Sequence, residues 1–235
     1  MAAELPAVAV IGGTGAEGSA IALRLGHSGY RVVIGTRDPA KGARIAAELN
    51  DFLKTEAVAS ATNAAAAQAA DIVILTVPYS AQRATVEEVR DALAGKILID
   101  ATVPLLPPKV SRVQLPREGS AVAHIQAVLG DGIRVVSAFQ NVAAHKLRRL
   151  GTDAECDVLV SGDDADARET VLDLIARMGL RGLDAGPICN SAAAEALTSI
   201  LIFLNRKYKV SGSGIRFTGL DEAPAAPPAG DLQRQ

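Results

Sequence analysis

The chain has 235 residues, 49% of them apolar and 21% charged, which is the balance of an ordinary globular protein able to bury a full core. A formal net charge of −2 gives no strongly basic face and excludes nucleic acid as the main partner. No basic region followed by a long apolar stretch opens the sequence and no apolar run of transmembrane length is read along it, so the expectation is a cytoplasmic protein, neither secreted nor membrane-bound. The two cysteines, Cys156 and Cys189, lie far apart without metal-ligand spacing and are expected to be reduced core residues; no metal site is expected.

The first element is the most informative. Val8 to Gly18 reads VAVIGGTGAEG, a short apolar strand running into a glycine cluster, and residues 19 to 26 continue with helical periodicity. Gly13, Gly15 and Gly18 have the G-x-G-x-x-G spacing, in which the first turns the chain, the second lets a pyrophosphate approach and the third lets helix pack on strand. Backbone N–H groups and the helix dipole hold the phosphates, so Gly13, Thr14, Gly15, Ala16 and Glu17 are candidate cofactor-binding positions.

The second strand, Arg31 to Gly35, says which dinucleotide. Where an NAD site would carry an acidic residue for the ribose 2′-hydroxyl, this chain has Thr36 and Arg37, with Lys41 a helical turn further on. A hydroxyl and two cations suit a 2′-phosphate, so NADP(H) is expected; otherwise both cations would sit unfavourably at the positive end of a helix dipole.

Strand and helix signals then alternate as in βαβ units. Helix is expected over Pro39 to Leu49, Asn63 to Ala69, about Ser80 to Ala94, and Glu118 to Leu129. Strands are expected over Ala57 to Ser60, Asp71 to Val77, Lys96 to Asp100 and Arg134 to Ala138; the four prolines within 101–117 mark a loop over the sheet's C-terminal edge. In the second half, Asp157 to Ser161 and Leu180 to Asp184 are strand candidates flanking a helix over Asp164 to Met178. From Asn190 to about Asn205 the helix is apolar on most faces and must be covered on several sides, which points to a homodimer. The fold class is therefore α/β, a Rossmann-type doubly wound and mostly parallel sheet with a smaller α/β C-terminal unit. The expected division is a dinucleotide-binding domain over 1–138, a smaller unit over 139–220 and a disordered tail over 221–235, whose composition lacks any apolar period.

With VIGGTGAEG, GTRDPAK, VVSAF at 135–139, LDAGP at 183–187 and NRKYKVSGSGIRFTGL at 205–220 in place, the chain resembles the F420-dependent NADP oxidoreductases from Val8 to Leu220. The resemblance implies a cytoplasmic homodimer that moves a hydride between C4 of NADP(H) and C5 of the 8-hydroxy-5-deazaflavin ring of coenzyme F420. It further implies that the nicotinamide lies by Val77 and Pro78 and by the segment after strand 134–138, and that groups around Ala138, Gln140, Asn141 and Val142 orient the rings. Both partners carry their own reactive carbon, so no catalytic side chain is expected; stacking, water exclusion and placement suffice. The histidines, His27, His124 and His145, are accordingly read as structural or solvated.

Two positions depart from the family pattern: Gln140 stands where His is expected, and Ala192 where Arg is frequent. Gln can hydrogen-bond a ring carbonyl but carries no charge. For the acidic tail of the deazaflavin coenzyme, Arg206, Lys207, Lys209 and Arg216 are candidates, or equally a solvated helix end. Two other readings remain open: an NADPH-dependent reductase of an imine, flavin or chelated metal, and a non-catalytic NADP(H) sensor, since Gly12, Gly15 and Gly18 also fit G-x-x-G-x-x-G. The Tyr-x-x-x-Lys pair of catalytic short-chain dehydrogenases is absent, because Tyr30, Tyr79 and Tyr208 are followed four residues on by Ile34, Arg83 and Gly212.

Overall fold

A computed structural model of the chain describes residues 5–220; the expected disordered tail lies outside them. Eight strands form one sheet: β1 (Val8–Ile11), β2 (Val32–Gly35), β3 (Val58–Ala61), β4 (Ile72–Leu75), β5 (Ile97–Asp100), β6 (Arg134–Ser137), β7 (Asp157–Gly162) and β8 (Arg181–Asp184). Their order is β3-β2-β1-β4-β5-β6-β7-β8. The first six are parallel, β7 is antiparallel to β6, and β8 is parallel to β7. The α/β doubly wound class is borne out. The sheet itself runs unbroken across residue 138, so residues beyond it extend the same sheet.

The helices are α1 (Ala16–His27), α2 (Pro39–Leu53), α3 (Asn63–Gln68), α4 (Tyr79–Val89), α5 (Ala121–Leu129), α6 (Ala144–Leu147), α7 (Ala165–Arg177) and α8 (Ser191–Tyr208). Alternate residues of the fully buried β1 divide between two cores, as a period of two requires. Val8 and Val10 pack with Ile21 and Leu25 of α1 and Val171 of α7 on one face; Ala9 and Ile11 pack with Ala66, Val86 and Ile125 on the other. Several helix starts are fixed by side-chain caps: Asp38 accepts from the Lys41 N–H, Ser120 from Ala123 and Asp164 from Ala167. Ser120 is why α5 begins at Ala121 and not at Glu118.

Three expectations are corrected. Cys156 is buried but Cys189 is exposed, because it falls in a 3-10 turn before α8. The short α6 was missed in the sequence, since four residues cannot display a period. By length and composition alone, Ile188–Tyr208 is long and apolar enough to cross a membrane. Its inward face nevertheless carries buried Ser191, Glu195 and Ser199. The Glu195 carboxylate accepts from the Ser120 hydroxyl at 2.7 Å and from the Ala121 and Val122 N–H groups at 2.9 and 3.2 Å, docking α8 on the N-terminus of α5. Only one side of α8 is covered in this way; Ile200 and Phe203 are 45% and 50% exposed on the other.

Arg24 joins the two halves. Only 3% exposed, it donates to the carbonyls of Leu147 (2.7 Å), Met178 (2.8 Å), Arg149 (2.9 Å) and Lys146 (3.2 Å). These carbonyls lie at the C-terminal ends of α6 and α7, where backbone acceptors lack intrahelical partners and the dipole favours a cation. Replacing Arg24 with Met is expected to strand buried carbonyls and destabilise the fold by about 2 to 5 kcal/mol, read as a shifted urea midpoint with an unchanged slope.

Candidate functional site

In a doubly wound sheet, ligands sit outside the carboxyl ends of the strands where the strand order reverses. Here that point lies between β1 and β4, and Ile11, Gly35, Leu75, Asp100 and Ser137 form one row across the edge. The glycine turn follows Ile11 directly. The structure places the chain reversal at Gly12, whose φ is +80°, and not at Gly13 as the spacing suggested. Gly13 is required by crowding: a Cβ there would lie 2.8 Å from both the Ile34 side chain and the Val10 carbonyl oxygen. At Gly18 a Cβ would lie 2.5 Å from the Thr76 hydroxyl and 2.7 Å from Gly12 and Gly13, so α1 packs against the strand ends only without one.

Gly15 is different. A Cβ there meets only the Gly12 carbonyl, at 3.3 Å, and the residue is exposed at the N-cap of α1, where no side chain caps the helix. Open approach to an uncapped helix start is what a pyrophosphate needs. Thr14 and Ala16 flank it at the surface. Glu17 stands apart, because its Oε1 is enclosed without a hydrogen-bond partner and burial raises its carboxyl to about 8.

At the end of β2, Thr36 is buried and its hydroxyl closes the turn, accepting from the Asp38 N–H at 3.1 Å. Arg37 and Lys41 are exposed and engage in no ion pair or side-chain hydrogen bond among the described residues. Val77 adjoins the glycine turn: a Cβ on Gly12 would lie 3.0 Å from its Cγ1. Pro78 precedes α4, which also starts without a side-chain cap.

The segment after β6 is held from several directions. Phe139 is buried with a φ of +76°, a conformation that costs a non-glycine residue energy and is retained where surroundings fix it. Gln140 donates to the Asp100 carbonyl at 2.7 Å while its own carbonyl accepts from Thr198 of α8 at 2.8 Å. Asn141 donates to the Asp157 carbonyl at 2.7 Å. Gln140 Oε1 and Asn141 Oδ1 are left buried without protein partners, as are the hydroxyls of Ser137 at the end of β6 and Thr102 just after the neighbouring β5. Ala138 and Val142, both buried, complete the segment. Asp100, fully buried, accepts from Gln82 at 2.6 Å and from the Thr102 N–H at 2.8 Å; burial pushes its carboxyl up, against those bonds.

Sequence reasoning missed Asp100, Gln82 and Glu195. Asp100 and Glu195 are polar residues in apolar elements, and that is the signal that could have found them; Gln82 lies in a largely polar helix and carries no such signal. The basic C-terminal candidates are partly spent: Arg216 pairs with Asp153, and Arg206 reaches the Ser111 hydroxyl. Gln140 is buried 5% exposed and tied to backbone, while Ala192 is on α8. Among the described residues no cluster of His, Cys, Asp or Glu could hold a metal ion. A cleft of about 380 Å³ lined by Arg24, His27, Thr152 and Arg177 lies at the C-terminal end of α1, away from the glycine turn.

Fold and site together define a Rossmann-type oxidoreductase scaffold whose binding edge is built chiefly from backbone groups. Residues 7–104 match the family of coenzyme F420-dependent NADP oxidoreductases. The chain is 37% identical over 222 residues to the F420-dependent NADP reductase of Methanocaldococcus jannaschii, covering 91% of this chain and 99% of that one. It is 39% identical to the corresponding protein of Methanothermobacter marburgensis, covering 92% and 99%. A crystal structure from Arthrobacter sp. FB24, assigned as an F420-dependent NADP reductase, superposes with a TM-score of 0.74 at 28% identity, over 91% of this chain and all of that one. The chain belongs to the F420-dependent NADP reductase family.

The two kinds of glycine separate experimentally. Gly15→Val is expected to abolish NADP(H) binding with the melting temperature nearly unchanged, measured by calorimetric titration and thermal melting. Gly18→Ala is expected to destabilise the fold itself by about 1 to 3 kcal/mol through overpacking.

Proposed function

We propose that this protein transfers a hydride between C4 of NADP(H) and C5 of the deazaflavin ring of coenzyme F420. The observation that carries the reading is the open, uncapped start of α1 at Gly15 on the same edge as the unpaired cations Arg37 and Lys41. Such an edge fits a dinucleotide with a 2′-phosphate, and membership of the family supplies the second substrate. When bound, the two rings supply the donor and acceptor carbons; the protein's task is placement and exclusion of water.

Backbone N–H groups from Gly13 to Glu17 hold the pyrophosphate, and Thr36, Arg37 and Lys41 surround the 2′-phosphate. Val77 and Pro78 flank the nicotinamide. Ala138, Gln140, Asn141 and Val142 orient the rings, with the orphaned Gln140 Oε1 and Asn141 Oδ1 as acceptors for N–H donors of the ligands. In this reading residues 1–138 bind the dinucleotide, and 139–220 contribute the deazaflavin side and, through the exposed Ile200 and Phe203 of α8, a homodimer contact in the cytoplasm.

Mixing NADPH, coenzyme F420 and the protein is expected to bleach the visible deazaflavin band; no change at stoichiometric protein overturns the reading. Arg37→Ala is expected to raise the KM for NADPH about ten- to a hundredfold, the equivalent of one charge-assisted contact, with little change for NADH. Equal effects on the two would remove the 2′-phosphate assignment. Phe203→Glu is expected to convert dimer to monomer in sedimentation.

A further inference from the structure

Glu17 is the one carboxylate within the phosphate turn, between Gly15 and Gly18. Nothing in the site's backbone chemistry calls for it. On an α-helix, positions 17, 21 and 24 share a face. Arg24 fixes that face against the carbonyls of residues 146–149, so Glu17, two turns nearer the helix start, faces the part of the molecule that carries the segment before α6. Its Oε1 is enclosed there with no protein partner. An enclosed carboxyl oxygen without a protein partner, at the ligand end of α1, has a free hydrogen-bonding position that a bound ligand can fill.

We propose that Glu17 is a positioning residue that meets the dinucleotide as a neutral carboxylic acid and donates its proton in a hydrogen bond to an acceptor oxygen of that ligand. The inference rests on the NADP(H) reading above. A carboxylate in this place would share one helix N-terminus with the pyrophosphate, and two anions there repel.

The charged groups around it do not neutralise it. β1 and β2 contribute none. On α6 and just beyond, His145 is exposed, Lys146 pairs with Glu155 at 3.2 Å and Arg148 donates to the Ser19 hydroxyl at 3.0 Å. On α2, Arg44 pairs with Glu48, and Lys41 is exposed; on α1, Arg24 is committed to carbonyls and His27 lies at the far end. Burial alone raises Glu17 from 4.5 to about 8.

The sign follows from linkage. In the free protein Glu17 keeps its proton below about pH 8 and releases it above, while the bound dinucleotide holds the proton on to higher pH. Above pH 8, binding must therefore take up a proton, and affinity falls about tenfold per pH unit. The ligand's own 2′-phosphate ionises near pH 6 and is finished by pH 7.

The test is calorimetric titration of the protein with NADP+ at pH 7 and pH 9, in pairs of buffers with different ionisation heats. For the unaltered chain we expect affinity about tenfold weaker at pH 9 than at pH 7, with uptake of about one proton per NADP+ at pH 9 and little at pH 7. Glu17→Gln keeps the shape and an N–H donor but cannot ionise, so its affinity should be the same at both pH values with no uptake. Affinity of the unaltered protein that does not change between pH 7 and pH 9 overturns the inference without needing the variant, and so does equal uptake by both proteins. Absence of NADP+ binding at either pH overturns the dinucleotide reading and this inference with it.

Discussion

A buried guanidinium that is bonded to carbonyls, and to no carboxylate among the described residues, joins the two halves of this molecule. Burial lowers the ease with which Arg24 can carry its charge, yet four carbonyls receive it at the ends of two helices. Those ends carry partial negative charge and acceptors without intrahelical partners, so one side chain satisfies both helix termini and its own charge. The geometric result matters more than the energy. Because α1 begins at the glycine turn, clamping its last turn to α6 and α7 fixes the position of the segment 138–142 relative to that turn.

That fixed relation is what a hydride-transfer protein must provide. Reacting carbons need to stand roughly 3 to 3.5 Å apart, and a small displacement costs a large factor in rate. The candidate site accordingly spends its polar groups on rigidity. Gln140 is tied to the end of β5 and to Thr198 midway along α8, Asn141 to the start of β7, and Phe139 just before them is held in a left-handed conformation. Each of these amides uses its N–H outward into the protein and leaves its oxygen unpaired at the edge.

Sequence reading recovered what periodicity and spacing encode. All eight strands and the glycine turn were legible because each is a local pattern: a run of apolar residues, or glycines at fixed offsets. What was not legible depends on partners distant in sequence. Arg24 lies in a helix whose neighbours, residues 146–149 and 178, are more than a hundred residues away. Glu195 reads as an interruption of an apolar helix until its carboxylate is seen on the N-terminus of α5. The assignment of the turn to Gly13 failed for a subtler reason: adjacent glycines serve different needs, a positive φ at Gly12 and a lack of room at Gly13, and spacing cannot separate the two.

The antiparallel entry of β7 explains why a second half is needed at all. Six parallel strands precede it, and a further parallel strand after β6 would have required its connection to leave the edge by a crossover. Instead Ser137 of β6 pairs with Ser161 near the end of β7, so β7 starts beyond the tip of β6, on the ligand side of the sheet. Its first residue, Asp157, meets Asn141 there by accepting from the side-chain amide, and its N–H donates to the Ile215 carbonyl of the segment after α8. The reversal thus brings the post-β6 segment, the start of β7 and the residues after α8 to one edge. The glycine turn after β1 lies on that same edge, because β1 and β6 run in the same direction and both end there.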